Sequence, residues 1–138
     1  PDYIRDLQDK IIAFGVKEKV HFLGHIPKID QIAIMKRSLA VLQPTLFEGG
    51  PGGGSVCDAV SIGVPVILSN IPVNKEIENE GNLLYFERGS TIDLVEKMRE
   101  FLKIYPRPPS KTELLARGEQ RKRLLGECLV EAISYARE

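Results

Sequence analysis

The 138 residues balance 19 Lys and Arg against 19 Asp and Glu, a formal net charge of +0, which excludes nucleic-acid binding driven by an overall basic surface. A hydrophobic share of 43% excludes a disordered chain and is enough for one domain with a real core. Two cysteines, Cys57 and Cys128, without CxxC spacing exclude a disulfide framework and a cysteine metal site, and fit a reducing, cytosolic setting.

No apolar run approaches the roughly 20 residues that span a bilayer, and no signal peptide opens the chain. The start at Pro1-Asp2, beside a helix signal and without Met, is expected of a fragment of something longer. Asp2 is placed to cap a helix whose apolar face carries Ile4, Leu7, Ile11 and Ile12, with Gly15 as its stop. Val20-His21-Phe22-Leu23 reads as a short buried strand ended by Gly24. From Pro27 a second helical pattern carries Ile32, Ile34, Met35 and Leu39. Residues 39–42 read as a strand ended by Pro44. Glycine then fills five of the six positions from 49 to 54. A short helix is predicted over residues 55–62, closed by Gly63, and a strand over residues 65–69. Pro72 suits the first turn of a helix ending near Glu78, residues 82–86 form a further strand, and Thr91 is placed to cap the helix of Ile92, Leu94, Val95, Met98, Phe101 and Leu102. Pro106-Arg107-Pro108-Pro109 breaks the chain. Ser110 begins a long charged helical segment to Glu138 with Leu114, Leu125, Leu129 and Ile133 on its apolar stripe, and Gly118 is placed to interrupt it. Its basic cluster, Arg117, Arg121, Lys122 and Arg123, reads as a solvated helix face. Tyr3, Tyr85, Tyr105 and Tyr135 make no stacking array.

Short continuous apolar strands alternating with helices predict an α/β fold, a parallel sheet of about four strands flanked by helices. The domain division predicted is residues 1–105, then a helical segment over residues 106–138 that packs on this domain or on one outside the chain.

The glycine run carries the chemistry. A glycine loop between a strand and a helix exposes several backbone N–H groups at the positive end of a helix dipole, which suits a phosphate or a close-packed sugar. Glu48 adds a charged acceptor, so a ligand with hydroxyls and phosphates together fits better than bare phosphate. No Lys follows as in GxxxxGK[ST], so the run is not a P-loop. Two readings stay open for each neighbour. Glu48 binds ligand hydroxyls or caps loop N–H groups. Ser55 donates to phosphate or caps the helix. Asp58 binds ligand or completes the capping-box pattern Ser55-Val56-Cys57-Asp58. Cys57 reads as a small core residue, and His21 has no chemical role.

The series Val20-His21-Phe22-Leu23-Gly24, Ser38-Leu39-Ala40, Gln43-Pro44-Thr45, Phe47-Glu48-Gly49, Asp58-Ala59, Gly63-Val64-Pro65-Val66-Ile67, Ser69 and Glu76-Ile77 resembles the donor-binding half of retaining glycosyltransferases of the GT-B fold, the large group 1 family. The resemblance covers residues 4–102 and implies a Rossmann-like sheet, part of the C-terminal half of a GT-B fold, with a nucleotide-sugar at the carboxyl ends of its strands. It implies that Glu48 accepts hydrogen bonds from donor-sugar hydroxyls, as the catalytic-site acid. Gly49, Gly50, Gly52, Gly53, Gly54 and Ser55 border sugar and diphosphate, Asp58 holds the ribose, and His25 lies near the base. Glu76 matches an acidic position of local, structural use. The sequence departs from the family twice: nine residues separate the two acids instead of the usual seven, and the second acid is Asp instead of Glu.

The resemblance also implies that no metal or other cofactor is needed. The diphosphate-binding Arg and Lys and the acceptor-binding N-terminal domain would precede Pro1, so the isolated chain is expected to be inactive. The full-length enzyme is expected in the cytoplasm, with peripheral membrane association open to it, and the C-terminal helix to permit self-association. The rival reading is a non-catalytic nucleotide-binding or interaction module on the same fold. A third is a structural α/β domain whose ordered loop stays empty.

Overall fold

The computed structural model describes residues 2–104 and 106–136. Pro1, Tyr105 and the last two residues of the terminal segment lie outside them. The chain forms two compact units, Pro1–Gln31 and Ile32–Glu138.

The first unit opens with α1 (Asp2–Ala13), which Gly15 ends in the left-handed region at φ +64°. One 3-10 turn follows at Lys17–Lys19. The strand expected over residues 20–23 is not formed. Val20 has an extended backbone, but all four residues are exposed and, among the described residues, none pairs with another strand. An apolar run without a neighbouring ladder leaves its backbone groups to water, and no strand results. Helix α2 (Lys28–Met35) spans the boundary between the units; Pro27 starts it as expected, its carbonyl accepting from the Asp30 and Gln31 N–H groups.

The second unit holds β1 (Val41–Gln43), α3 (Gly53–Ser61), β2 (Val66–Ser69), a 3-10 helix at Pro72–Ile77, β3 (Leu83–Phe86), α4 (Thr91–Ile104) and α5 (Lys111–Tyr135). The strands make one parallel sheet in the order β1-β2-β3, with Val41 opposite Val66 and Val66 opposite Leu83. The fold is therefore the expected Rossmann-like α/β layer arrangement, with three described strands in place of four.

Strand β2 explains the layering. All four of its residues are buried, because a central parallel strand is covered on both faces. Val66 and Leu68 pack with Val56 and Ala59 of α3 and with Ile77. Ile67 packs on the opposite face with Phe86 and with Phe101 of α4. Each such aliphatic side chain contributes about 1.5–3 kcal/mol on full burial.

Two helix starts differ in detail. Ser90, one residue before the expected Thr91, caps α4 by accepting from the Asp93 N–H at 3.1 Å. The segment begins at Ser110 as expected, with Ser110 as the N-cap of α5, and the helix runs through Gly118 without the expected interruption. The α5 N-terminal turns lie against the sheet body. A Cβ at Gly63 would come within 2.5 Å of Pro109 Cγ, and Arg121 pairs with Glu80 at 2.9 Å. A cavity of about 350 Å³ lies there, lined among others by Val60, Glu76, Leu114, Arg117 and Leu124. Further along α5, Leu125, Leu129, Val130 and Ile133 are exposed. Among the described residues no helix is long and apolar enough to cross a membrane.

Candidate functional site

The site sits at the carboxyl edge of the sheet, where β1 ends in Gln43 and the chain turns through residues 44–52 into α3. Gly52 and Gly53 both adopt positive φ, +61° and +65°, and helix α3 begins at Gly53. Glycine is required at Gly52, since a Cβ would meet Val56 Cβ at 2.4 Å in addition to the left-handed penalty. The helix thus starts two residues earlier than expected. Propensity argues against glycine in a helix, and the hydrogen bond from Gly53 N to the Gly50 carbonyl, 3.3 Å, together with packing of Val56 overrides it.

This start rules out the helix-cap alternative for Ser55. The N-cap is Gly52, with no side-chain cap hydrogen bond, so Ser55 is the third helical residue and is exposed. The capping-box pattern with Asp58 is not realised. The first-turn N–H groups of Gly54 and Ser55 have no acceptor inside the helix. Among the described residues neither donates to another group, and both lie at the positive end of the helix dipole.

Glu48 is brought to the same place. Gln43 Nε2 donates to Glu48 Oε1 at 2.8 Å, and Glu48 Oε2 lies 3.1 Å from where a Cβ on Gly53 would stand. The half-buried carboxylate therefore lies over the glycine turn, fixed from the end of β1. Asp58 is half-buried on α3, four residues and one turn on from Gly54, hence on the same helix face. Cys57 is half-buried, its thiol directed to the Pro51 carbonyl at 3.8 Å. Gly49 and Gly50 lie in the turn with open space where a Cβ would be. His25 belongs to the first unit and is exposed, as is His21. Glu76 borders the cavity under α5.

A residue without any sequence assignment holds the turn. Asn74 is fully buried. Its Oδ1 accepts from the Gly52 N–H and its Nδ2 donates to the Ser69 carbonyl, both at 2.8 Å. Ser69 Oγ in turn donates to the Thr45 carbonyl at 2.5 Å. The Tyr85 hydroxyl donates to the Asn74 carbonyl at 2.9 Å. Burial, and then the Glu78 carboxylate, raise the Tyr85 pKa above its ordinary value and keep that donor protonated. The signal was present in the sequence: Ile71, Asn74 and Ile77 recur every three residues, one face of a 3-10 helix, and all three are buried. Thr45 Oγ1, at the start of the turn, is buried without a hydrogen-bond partner among the described residues. No three His, Cys, Asp or Glu side chains among them are grouped to hold a metal ion.

The family model of the glycosyl transferases group 1 matches residues 2–121. The chain belongs to the group 1 glycosyltransferases. A curated relative, the O-antigen chain mannosyltransferase RfbU of Salmonella typhimurium (strain LT2), is 30% identical over 82 residues, 59% of this chain and 23% of the relative. The match thus spans less than a quarter of that relative's length. No solved structure matches. The matched region includes all three described strands, the glycine turn and α3.

Proposed function

We propose that the chain is the donor-binding portion of a retaining glycosyltransferase that transfers a sugar from a nucleotide-sugar to an acceptor. The observation that carries this reading is the Glu48 carboxylate held over the turn at Gly53, beside first-turn N–H groups without intrahelical acceptors. A carboxylate accepts sugar hydroxyls and helix-end N–H groups accept phosphate oxygens, so one small surface serves both parts of such a donor. In this reading Glu48 orients the sugar, and Gly49, Gly50, Gly52, Gly53, Gly54 and Ser55 border sugar and diphosphate. Asp58 holds the ribose hydroxyls. His25 is assigned to the base on the family resemblance alone.

Stabilisation of the departing diphosphate is the largest catalytic requirement. The N–H groups of α3 supply part of it without a metal, and cationic groups N-terminal to this chain supply the rest. In this reading, as the family resemblance implies, acceptor binding belongs to a separate domain and the isolated chain is inactive. On the same reading the full-length enzyme works in the cytoplasm, with peripheral membrane association open to it. The relative's name makes a hexosyl donor, mannosyl first, the one to test.

Calorimetric titration of the full-length enzyme with nucleoside diphosphates and their sugars tests the assignment. Glu48→Gln is expected to weaken nucleotide-sugar binding and leave the diphosphate nearly unchanged. Asp58→Asn is expected to weaken both. A hydrogen bond to a charged group contributes about 1.5–3 kcal/mol, roughly 10- to 150-fold. Unchanged affinity with lowered melting temperature in Asp58→Asn would end the ribose assignment, and equal losses for both ligands in Glu48→Gln would end the sugar-specific role.

A further inference from the structure

We propose that Asn74 is a positioning residue for donor binding: it fixes the glycine turn in its ligand-receiving shape before any ligand arrives. The inference rests on the donor-site reading of that turn. Its evidence is the chain of hydrogen bonds from Thr45 through Ser69 and Asn74 to Gly52. This chain ties the beginning of the turn, the end of β2 and the last residue before α3 into one unit.

The chemistry at Asn74 is specific. The side chain is wholly buried and faces a backbone N–H on one side and a backbone carbonyl on the other. A carboxamide supplies the required acceptor and donor at once. Aspartate keeps the acceptor but sets a second oxygen against the Ser69 carbonyl. Leucine keeps the volume and supplies neither. The Gly52 N–H is consumed by Asn74, so it is unavailable to ligand. The N–H groups of Gly54 and Ser55, one and two residues past Gly53, have no acceptor within the helix that this anchored turn begins. A turn this rich in glycine has much freedom to lose on ordering. With Asn74 in place that loss occurs on folding. Without it, the donor must order the turn as it binds, and affinity falls with no change in the chemical step.

Steady-state kinetics of the full-length enzyme with Asn74→Ala, Asn74→Leu and Asn74→Asp tests this, at a temperature well below each variant's melting transition. The expected result is a donor KM raised about tenfold or more in Ala and Leu, with kcat and acceptor KM within about twofold. Asp is expected to recover part of the loss because it still accepts from Gly52. A merely structural role would instead lower the yield of active enzyme and leave donor KM alone. Unchanged donor KM, or equal rises for donor and acceptor, would overturn the proposal. Amide exchange in the wild type supplies a test that needs no variant. The Gly52 amide is expected to be protected without ligand, while Gly54 and Ser55 become protected only with nucleoside diphosphate. Fast exchange at Gly52 without ligand would also overturn it. A wild-type enzyme that binds no nucleotide-sugar overturns the donor reading and this inference together, whereas normal binding with silent Asn74 variants overturns this inference alone.

Discussion

Three adjacent glycines differ in what a methyl group would meet, and the difference separates folding from binding. At Gly52 a Cβ meets the Val56 side chain at 2.4 Å with φ at +61°. Gly52→Ala should cost about 1–2 kcal/mol for the left-handed backbone and about 1–3 kcal/mol more for the forced shift. At Gly53 the obstacle is the Glu48 carboxylate, 3.1 Å away. Gly53→Ala should cost about 1–2 kcal/mol in backbone strain and displace Glu48 from the turn. At Gly54 nothing lies within 4 Å. Gly54→Ala should leave the melting temperature unchanged or raise it, by up to about 1 kcal/mol in stability. If the backbone at Gly54 borders the donor, that variant still loses nucleoside diphosphate affinity. Thermal melts and calorimetry on the three variants check the pattern, and full affinity in Gly54→Ala would remove that residue from the donor surface. That Glu48 and the glycine run share one tight turn was legible in the sequence, because they are neighbours along the chain between a strand and a helix. For Asn74 the spacing with Ile71 and Ile77 signalled burial, but not the role, which exists only where the chain returns to Gly52 from 22 positions away.

Among the elements, those with their partners nearby in sequence were read well and those that depend on distant partners were not. Ser110 and Glu113 cap α5 within one turn, so the helix start was visible in the sequence. Residues 20–23 have strand-like side chains but, among the described residues, no ladder to join. The α3 start was misplaced because glycines 53 and 54 read as loop until the packing of Val56 is known. The α5 cap also has a pH signature. The hydrogen bonds from the Ser110 hydroxyl and backbone N–H hold the Glu113 carboxyl below its ordinary value of 4.5, with Arg107 adding to them. A carboxyl lowered by folding contributes stability that is present above the unfolded value and is lost as pH falls through the folded one. Helicity followed by circular dichroism should therefore hold down to about pH 4.5 and begin to fall below it. Glu113→Gln should flatten the part of that fall due to the cap; an identical profile in the variant would show that the cap does not set it.

For the whole molecule, two expectations follow from where the apolar surface lies. The exposed Leu125, Leu129, Val130 and Ile133 of α5 are a contiguous stripe, and such stripes associate in water. The isolated chain should gain mass with concentration in sedimentation experiments, and Leu129→Glu should keep it monomeric. A monomer at every concentration would count against the stripe as an association surface. The second expectation concerns order in time. Strand β2 is the shared neighbour of β1 and β3 and has a hydrophobic cluster on each face. During synthesis β1 leaves the ribosome with nothing to pair with, and the sheet begins to close only once residues 66–69 have emerged. The cluster beneath it waits longer still, for Phe101. Nascent chains arrested before β2 should remain open to protease, those extended beyond α4 should resist it, and protection at the shorter length would mean that the fold starts elsewhere.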